Sequence, residues 1–435
     1  MEMDALRRRA LREDGFGLPL TTQSDAAAAA FDRAADRLLA GVGNPLAAAD
    51  AALAEDPGMP LAHSLRASAL MLAGDPGAAR TAAERAVALA STATRRERQA
   101  AAINLDVVTG KREAALAGIR AHIQEFPRDA LAIDPASSVF GLIGFSGRQN
   151  REAEQLALLE PLAPHYGDHW WYGRVLGFAL LEYDAVDRAL PMVQAALEVR
   201  PDSGHLAHVW VHALFEAGQH ERALEWLGGW LPGFDPAGIM YCHLWWHLAL
   251  FHLLRGDFAA MWKAYDAHCQ ADQSASPAIN IFTDGVALAW RAEVAGAERS
   301  MDRLNALRAF GEKHFPRPGI FVDVHRAACL AALGDRPALA AFRADCRSAL
   351  EKGRLAAGEV VLAICDGFEA FAEGDWARAR ECLRQAAPQV VRIGGSRAQR
   401  RIVSETLAAA EARVWKPASG RDLPPGHSPG GHFPG

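Results

Sequence analysis

Apolar stretches of helical length recur along the chain, and a glycine follows several of them. A glycine ends a helix by adopting a left-handed backbone conformation, and small residues let two antiparallel helices approach each other closely. No alternating run bounded by Asn-Gly or Asp-Gly indicates a strand. The pattern therefore predicts paired antiparallel helices. Four glycines have an alanine five positions later: Gly74 with Ala79, Gly110 with Ala115, Gly218 with Ala223, and Gly374 with Ala379.

This spacing resembles the tetratricopeptide repeat, a helix–turn–helix unit of about 34 residues that stacks into a superhelix. The consensus tryptophan and tyrosine are missing from several positions, so the repeats are degenerate. The predicted fold is an all-α superhelical α-solenoid over residues 20–415, with residues 1–19 as an N-terminal extension. Residues 416–435 contain five prolines and five glycines and are predicted to be a disordered tail.

Charge and composition narrow the classes of function. The chain has 46 basic and 52 acidic residues, a formal net charge of −6, which argues against nucleic-acid binding. Residues 236–254 carry no Asp, Glu, Lys or Arg, as a membrane span would. However, they include proline, glycine and three histidines and are short for a span, so they predict a buried helix and no membrane role. The six cysteines are widely spaced with no C-x-x-C, which favours a reducing, cytoplasmic location.

Histidines are concentrated in one part of the chain, with seven of the sixteen between residues 205 and 252. Counted from the glycine that ends each helix, one pair stands at −10 and −6 and another at −13 and −9. Together these offsets form an i, i+3, i+4, i+7 stripe, so the four side chains share one face of the first helix in adjacent repeats. In tetratricopeptide arrays that face lines the concave groove. The four residues are His208, His212, His243 and His247.

Imidazoles one helical turn apart can hold a transition metal, so the four histidines are predicted metal ligands. Asp284 and His325 fall close to the same stripe in later repeats, and His325 is a fifth candidate ligand. Asp323 precedes it as Asp-x-His and is a candidate ligand or general base, although its offset turns it away from the stripe. Glu182 and Asp284 are candidates for orienting ligands or for proton transfer. Neutral imidazoles with a carboxylate suit zinc or ferrous iron.

The histidines also have a packing interpretation. They lie near Trp210, Trp245 and Trp246 and can serve as amphipathic core residues that are hydrogen-bonded to backbone or water. That interpretation fits a lone histidine well. Four histidines in register, with carboxylates nearby, leave the metal site and the packing role both open.

Several segments resemble the tetratricopeptide repeat protein 38 family. The resemblance covers nearly the whole chain and implies a tetratricopeptide-like α superhelix, but it implies no settled biochemistry. This chain departs from the family pattern at two places: Ser137 and Ser138 replace a His-Asp pair, and Arg401 replaces an aspartate. If those positions bind metal or substrate in the family, the departures imply altered chemistry or a different substrate. The matching segments are D-G-F-G-L-P-L-T-T at 14–22, the glycine-containing helix at 172–182, the two H-x-x-x-H motifs at 208–212 and 243–247, D-G-V-A-L-A-W-R at 284–291, F-V-D-V-H at 321–325, and G-G-S-R-A-Q-R at 394–400.

Two functions follow from these observations. The first is a metal-dependent enzyme or small-molecule binder with its site in the concave groove. As an enzyme it would catalyse either a hydrolysis or an oxygen-dependent reaction. The alternative is a non-catalytic adaptor that docks a peptide or protein partner in the same groove. An adaptor that clamps a peptide carboxylate would need lysine and arginine at the concave positions, where this chain has histidine and aspartate. The pattern favours the metal or small-molecule function and leaves the reaction and the oligomeric state open.

Overall fold

A computed structural model describes residues 11–317 and 319–415, so the predicted tail and residues 1–10 lie outside the described residues. The fold is all-α, as the sequence predicts, and successive helices pack as antiparallel pairs. Helices of the first half are α1 (Asp25–Ala40), α2 (Pro45–Glu55), α3 (Pro60–Leu72), α4 (Pro76–Ala90), α5 (Arg95–Val108), α6 (Arg112–Glu125), α7 (Ala130–Ser137), α8 (Arg151–Leu159), α9 (Ala163–Tyr166), α10 (Trp170–Glu182) and α11 (Val186–Val199).

The second half continues the same paired arrangement. Three 3-10 turns, at Glu160–Leu162, Leu231–Gly233 and Ala387–Ile393, connect helices of the chain. The remaining helices are α12 (Gly204–Glu216), α13 (His220–Trp230), α14 (Tyr241–Leu254), α15 (Phe258–His268), α16 (Ala278–Val294), α17 (Met301–His314), α18 (Ile320–Leu333), α19 (Arg336–Glu351), α20 (Val360–Ala372), α21 (Trp376–Ala386) and α22 (Arg397–Val414).

The repeat glycines and alanines occupy the positions that the spacing predicts. All four alanines that follow the glycines are fully buried, so they lie where two helices touch. A larger side chain there would overpack the contact. The glycines adopt the left-handed conformation, with φ of 80° at Gly74, 73° at Gly110, 70° at Gly218 and 80° at Gly374.

A short β-hairpin precedes the helices and was not predicted. Strand β1 (Leu11–Glu13) pairs antiparallel with β2 (Pro19–Thr21), with Leu11 opposite Thr21. Three residues per strand are too few to give a recognisable alternating pattern, so the hairpin cannot be predicted from the sequence pattern. The Asp14 side chain closes the turn by accepting hydrogen bonds from the backbone N–H groups of Phe16 (2.9 Å) and Leu18 (3.0 Å).

The core is thickest in the second half of the chain. One continuous apolar cluster runs from α7 to α22 and includes Leu39 of α1, whereas α1 to α6 are held mainly by several small, alanine-rich clusters. Helix α14 is buried almost all round, which accounts for its lack of charged residues. In the described part of the chain, no helix is both long enough and apolar enough to cross a membrane.

The first helices of four successive repeats (α10, α12, α14 and α16) form what we call the inner face. The C-terminal helix α22 packs against α16 and contacts side chains of α10 and α12. The indole N–H of Trp290 in α16 donates to the Thr406 hydroxyl at 2.8 Å, and Arg291 pairs with Glu405 at 2.6 Å. The inner face corresponds to the concave side of a tetratricopeptide array. Part of the predicted groove is therefore filled by the chain's own last helix.

The loop before α22 also reaches back to the middle of the chain. Arg151, at the start of α8, donates through Nε to the carbonyl of Val391 at 2.8 Å and through Nη2 to that of Gly395 at 2.7 Å. The side-chain amide of Gln149 donates to the carbonyl of Pro388 at 2.8 Å. These bonds close the superhelix against itself.

Candidate metal centre

Helices α12 and α14 bring together the four histidines that the sequence places on one stripe. His208, His212, His243 and His247 are 8, 1, 3 and 0% exposed. One nitrogen from each ring lies within 4.8 Å of the others, a separation that a single metal ion can bridge. Each i, i+4 pair presents two rings from one helix, and the packing of neighbouring repeats turns the two pairs toward each other.

Aromatic side chains wall the four-histidine group. Phe178 of α10 packs against the rings of His208 and His212, with centroid separations of 5.3 and 5.1 Å. Trp246 stacks on His243 with 5.3 Å between ring centroids and 12° between the planes. These walls exclude water from the group and fix the orientation of the rings.

The ring nitrogens face one another instead of facing other polar groups. Nε2 of His208 lies 2.9 Å from Nε2 of His212 and 3.0 Å from Nε2 of His243. Both nitrogens of His247 are buried, and no described residue offers either one a hydrogen-bond partner. A neutral imidazole has one donor and one acceptor nitrogen. Because three nitrogens converge on one region, no single proton between them satisfies all three.

Burial lowers the pKa of three of the four rings. It lowers the pKa of His212 to about 3, with a further contribution from the neighbouring His243. Burial followed by the nearby imidazoles also lowers the pKa values of His208 and His247 well below the usual value. Neutral imidazole is the form that binds metal, so His208, His212 and His247 are held in their ligand state at neutral pH.

Asp284 of α16 orients one of the four rings. Its Oδ2 accepts a hydrogen bond from Nδ1 of His243 at 2.6 Å, and its Oδ1 accepts one from Nε2 of Gln399 in α22 at 3.3 Å. A proton held at Nδ1 leaves the Nε2 lone pair of His243 free to face the group. This is the carboxylate–histidine arrangement that orients ligands in metalloproteins.

Glu182, at the end of α10, contacts α22. Its carboxylate accepts the backbone N–H of Arg397 at 3.0 and 3.1 Å, and Nη1 of Arg400 at 3.3 Å. Burial raises the pKa of Glu182 to about 8. A carboxylate at a helix N-terminus is stabilised by the unpaired N–H groups there. The geometry makes Glu182 an anchor for α22.

Asp323 and His325 of α18 lie outside the four-histidine group. Nδ1 of His325 lies 2.9 Å from the carbonyl oxygen of Phe321, and Asp323 accepts the N–H of Gly319 at 2.9 Å. Burial raises the pKa of Asp323 to about 7 and lowers that of His325 to about 4. The sequence placed His325 near the stripe, but the structure does not bring it into the group.

The residues that depart from the family pattern have local partners. The Ser137 hydroxyl donates to the carbonyl of Asp134 at 2.9 Å, and Ser138 follows it as the C-cap of α7. The guanidinium of Arg401 lies over the ring of Phe215, 4.4 Å from its centroid. None of these contacts is to an imidazole of the group.

Three residues at the group escaped the sequence analysis: Phe178, Trp246 in its stacking role, and Gln399. Gln399 lies in the G-G-S-R-A-Q-R segment, which was noted only as a resemblance. Its position beside Asp284 depends on a contact across 115 residues of chain. A contact between residues so far apart in the chain cannot be predicted from the periodicity of the sequence.

The fold defines the class: a tetratricopeptide-like helical-repeat protein. No protein-family model matches the chain. Two structures of the human IFIT1 dimer, with m7Gppp-AAAA and with PPP-AAAA, are similar to it at 11 and 12% identity and a TM-score of 0.39 each. These matches cover 94 and 95% of this chain and 100 and 99% of the IFIT1 chains. A tetratricopeptide repeat protein from Parabacteroides merdae is similar at 15% identity and a TM-score of 0.34, over 73% of this chain and 98% of that one.

Proposed function

We propose that this protein binds a divalent transition metal, zinc or ferrous iron, through His208, His212, His243 and His247. The observation that carries the proposal is the convergence of four buried imidazoles whose nitrogens face each other within 4.8 Å. Packing histidines satisfy their nitrogens with backbone or side-chain partners, whereas both nitrogens of His247 have none, and Nε2 of His208 faces only the Nε2 atoms of two other rings. We also propose membership of the tetratricopeptide repeat protein 38 family, on the two H-x-x-x-H motifs and the other matching segments.

The residues present fit such a metal. Leaving a buried polar nitrogen without a partner costs about 1–3 kcal/mol, and His247 has two of them. A cation coordinated by one nitrogen of each ring removes that cost for one of the two nitrogens of His247. Burial holds His208, His212 and His247 neutral, and Asp284 contacts the fourth ring, His243. A set of four imidazole ligands suits zinc, iron, copper or nickel better than calcium or magnesium.

We further propose that the centre is the active site of an enzyme that acts on a small molecule. A bound divalent metal would supply an acidified water or an open position for oxygen. Four imidazoles fill a tetrahedral ion, whereas a six-coordinate ion keeps two positions for substrate and water. The chain's own contributions are Asp284, which holds the Nδ1 proton of His243, and Phe178 and Trp246, which exclude bulk water. Glu182, Asp323 and His325 lie further from the metal in this proposal and act through the surrounding helices.

The adaptor alternative is less well supported. A peptide on the inner face would have to displace α22, which Glu182, Trp290 and Arg291 hold in place. Two arginines of α22 are paired as well, since Arg397 contacts Asp184 at 2.9 Å and Arg400 contacts Glu152 at 2.6 Å. We propose a small-molecule ligand, no nucleic acid, and a cytoplasmic location, which the six free cysteines of the chain favour.

Elemental analysis tests the proposal on protein purified through a tag without histidines. We expect about one divalent transition metal per chain. Substoichiometric metal that a chelator removes without changing the circular dichroism or the thermal unfolding would contradict the site. The cobalt-loaded protein then tests for an open position: azide should change its visible spectrum if a position is open and leave it unchanged if four histidines close the site.

A further inference from the structure

The side chain of Gln399 links the four-histidine group to the start of α22. Its Nε2 donates to Oδ1 of Asp284 at 3.3 Å, and Oδ2 of the same carboxylate accepts from Nδ1 of His243 at 2.6 Å. Its Oε1 accepts the backbone N–H of Ser396 at 3.0 Å. A chain of hydrogen bonds thus runs from the first turn of α22 to a predicted metal ligand.

The orientation of the Gln399 amide is set by its own helix. Ser396 and Gln399 form a capping box, in which the Ser396 hydroxyl accepts the Gln399 N–H at 3.2 Å and Oε1 of Gln399 accepts the Ser396 N–H. Because Oε1 is used at the cap, the amide NH₂ must point toward Asp284. Asp284 is buried, so this donor fixes which of its two oxygens remains for His243.

We propose that Gln399 is a positioning residue of the metal centre and that metal binding is coupled to the docking of α22. This inference rests on the proposed metal site. Gln399 holds Asp284, Asp284 holds the proton at Nδ1 of His243, and His243 then presents an unprotonated Nε2. Metal at that Nε2 favours the same arrangement in return, because coupling between two equilibria is reciprocal.

The chain provides matched controls on the same helix. Thr406 anchors α22 through Trp290, about two turns from Gln399, so Thr406→Val loosens the helix without touching Asp284. Ser396→Ala removes the hydroxyl half of the capping box and leaves both the Gln399 amide and the Ser396 backbone N–H in place. Gln399→Met removes the amide while keeping the length of the side chain.

The first experiment measures affinity for Zn²⁺ and Co²⁺ by competition with a chelator. Gln399→Met should weaken binding by about tenfold, the lower end of the range for residues that orient ligands. Ser396→Ala and Thr406→Val should stay within about threefold of the unchanged protein. A Gln399→Met affinity inside that limit overturns the proposal. Equal losses in Gln399→Met and Thr406→Val overturn it as well, because they would reflect general loosening of α22.

The second experiment measures hydrogen exchange of the α22 backbone amides with and without Zn²⁺. In the unchanged protein, metal should slow exchange in the first two turns of α22. In Gln399→Met this slowing should be lost, even at a metal concentration that fills the site. Exchange in α22 that is insensitive to metal in the unchanged protein overturns the coupling.

Failure of the metal site and failure of the Gln399 link give different results. A protein without measurable metal affinity contradicts the proposed function. The link is then judged in metal-free protein from the ring ¹⁵N shifts of labelled His243, assigned with His243→Gln. An Nδ1–H tautomer in the unchanged protein and a mixture in Gln399→Met support the link, and the same tautomer in both overturns it.

Discussion

Two buried polar clusters of this protein contain histidine, and they are built in opposite ways. In the first, which we call the Arg96 cluster, Arg96 lies between two carboxylates, 2.6 Å from Asp14 and 2.6 Å from Asp129. His122 completes it, with Nε2 3.1 Å from Asp129 and Nδ1 2.8 Å from the side-chain oxygen of Gln99. Opposite charges, and donors with acceptors, therefore meet throughout, and the cluster binds the N-terminal hairpin to the helices behind it.

In the four-histidine group, like groups meet instead. Imidazole nitrogens face imidazole nitrogens, and the group contacts a carboxylate through Asp284 on one ring. Both clusters are buried, so burial alone does not separate a structural histidine from a ligand. The presence or absence of complementary partners does. Imidazole nitrogens that face one another at hydrogen-bond distance can all be satisfied by a cation between them. In the Arg96 cluster the charged groups already satisfy one another.

The largest expected effect is the loss of metal from His212→Ala combined with His247→Ala. Removing two of four ligands should abolish stoichiometric metal while the helical circular dichroism persists. The control is the combination of His165→Ala and His314→Ala, which removes two exposed histidines and should leave metal content unchanged. Full metal occupancy in the first variant would remove the contrast between the two clusters.

Arg96→Met should give the largest loss of stability. It leaves Asp14 and Asp129 buried without their shared cation, and breaking a buried ion pair costs about 3–5 kcal/mol. The free energy of unfolding in urea measures the loss, and metal affinity should not change. Arg80→Met, in an exposed pair with Glu84, should be nearly neutral in the same assay. A change in metal affinity in Arg96→Met would show that the two clusters are not independent.

Asp284→Asn should weaken metal binding by about 10–100-fold. An amide at this position cannot accept from both His243 and Gln399 with the present geometry, so the ring of His243 loses its fixed tautomer. Asp129→Asn is the corresponding change in the Arg96 cluster, and it should lower stability without altering metal affinity. If both variants bind metal as the unchanged protein does, Asp284 does not orient a ligand.

The smallest expected effect is a pH dependence from Glu182. Burial raises its pKa from 4.5 to about 8, so the folded state holds a proton that the unfolded state releases above about pH 4.5. Stability from this group is therefore fully present below about pH 4.5 and is lost as pH rises through about 8. The nearby Arg151 and Arg400 favour the charged carboxylate, which opposes the effect of burial and should keep this loss of stability small. Glu182→Gln should flatten the dependence of the melting temperature between pH 5 and 8, and an unchanged slope would contradict the assignment.

The local features of the fold could be predicted from the sequence, and the long-range ones could not. Glycine and alanine spacing gives the helix pairs because it reports contacts between neighbours in the chain. The histidine register gives the four-residue group for the same reason. Sequence offsets carry no information on how far each repeat is rotated relative to the one before it. For this reason His325 was expected at the four-histidine group, although it lies outside the group. The roles of Gln399 and Glu182 depend on α22, whose contacts with them cross more than 100 residues of chain.

The closure of the superhelix has a consequence for how the chain folds during synthesis. An open repeat array can add its units in order, because each unit contacts only its neighbours. Here the bond from Arg151 to Val391 joins residues 240 positions apart, and the one from Arg397 to Glu182 joins residues 215 apart. A nascent chain cannot make these bonds until its last helix leaves the ribosome. Helices α10, α12 and α16 must therefore wait with the surface that α22 contacts uncovered, and the final step should be slow, as contacts of high sequence separation require.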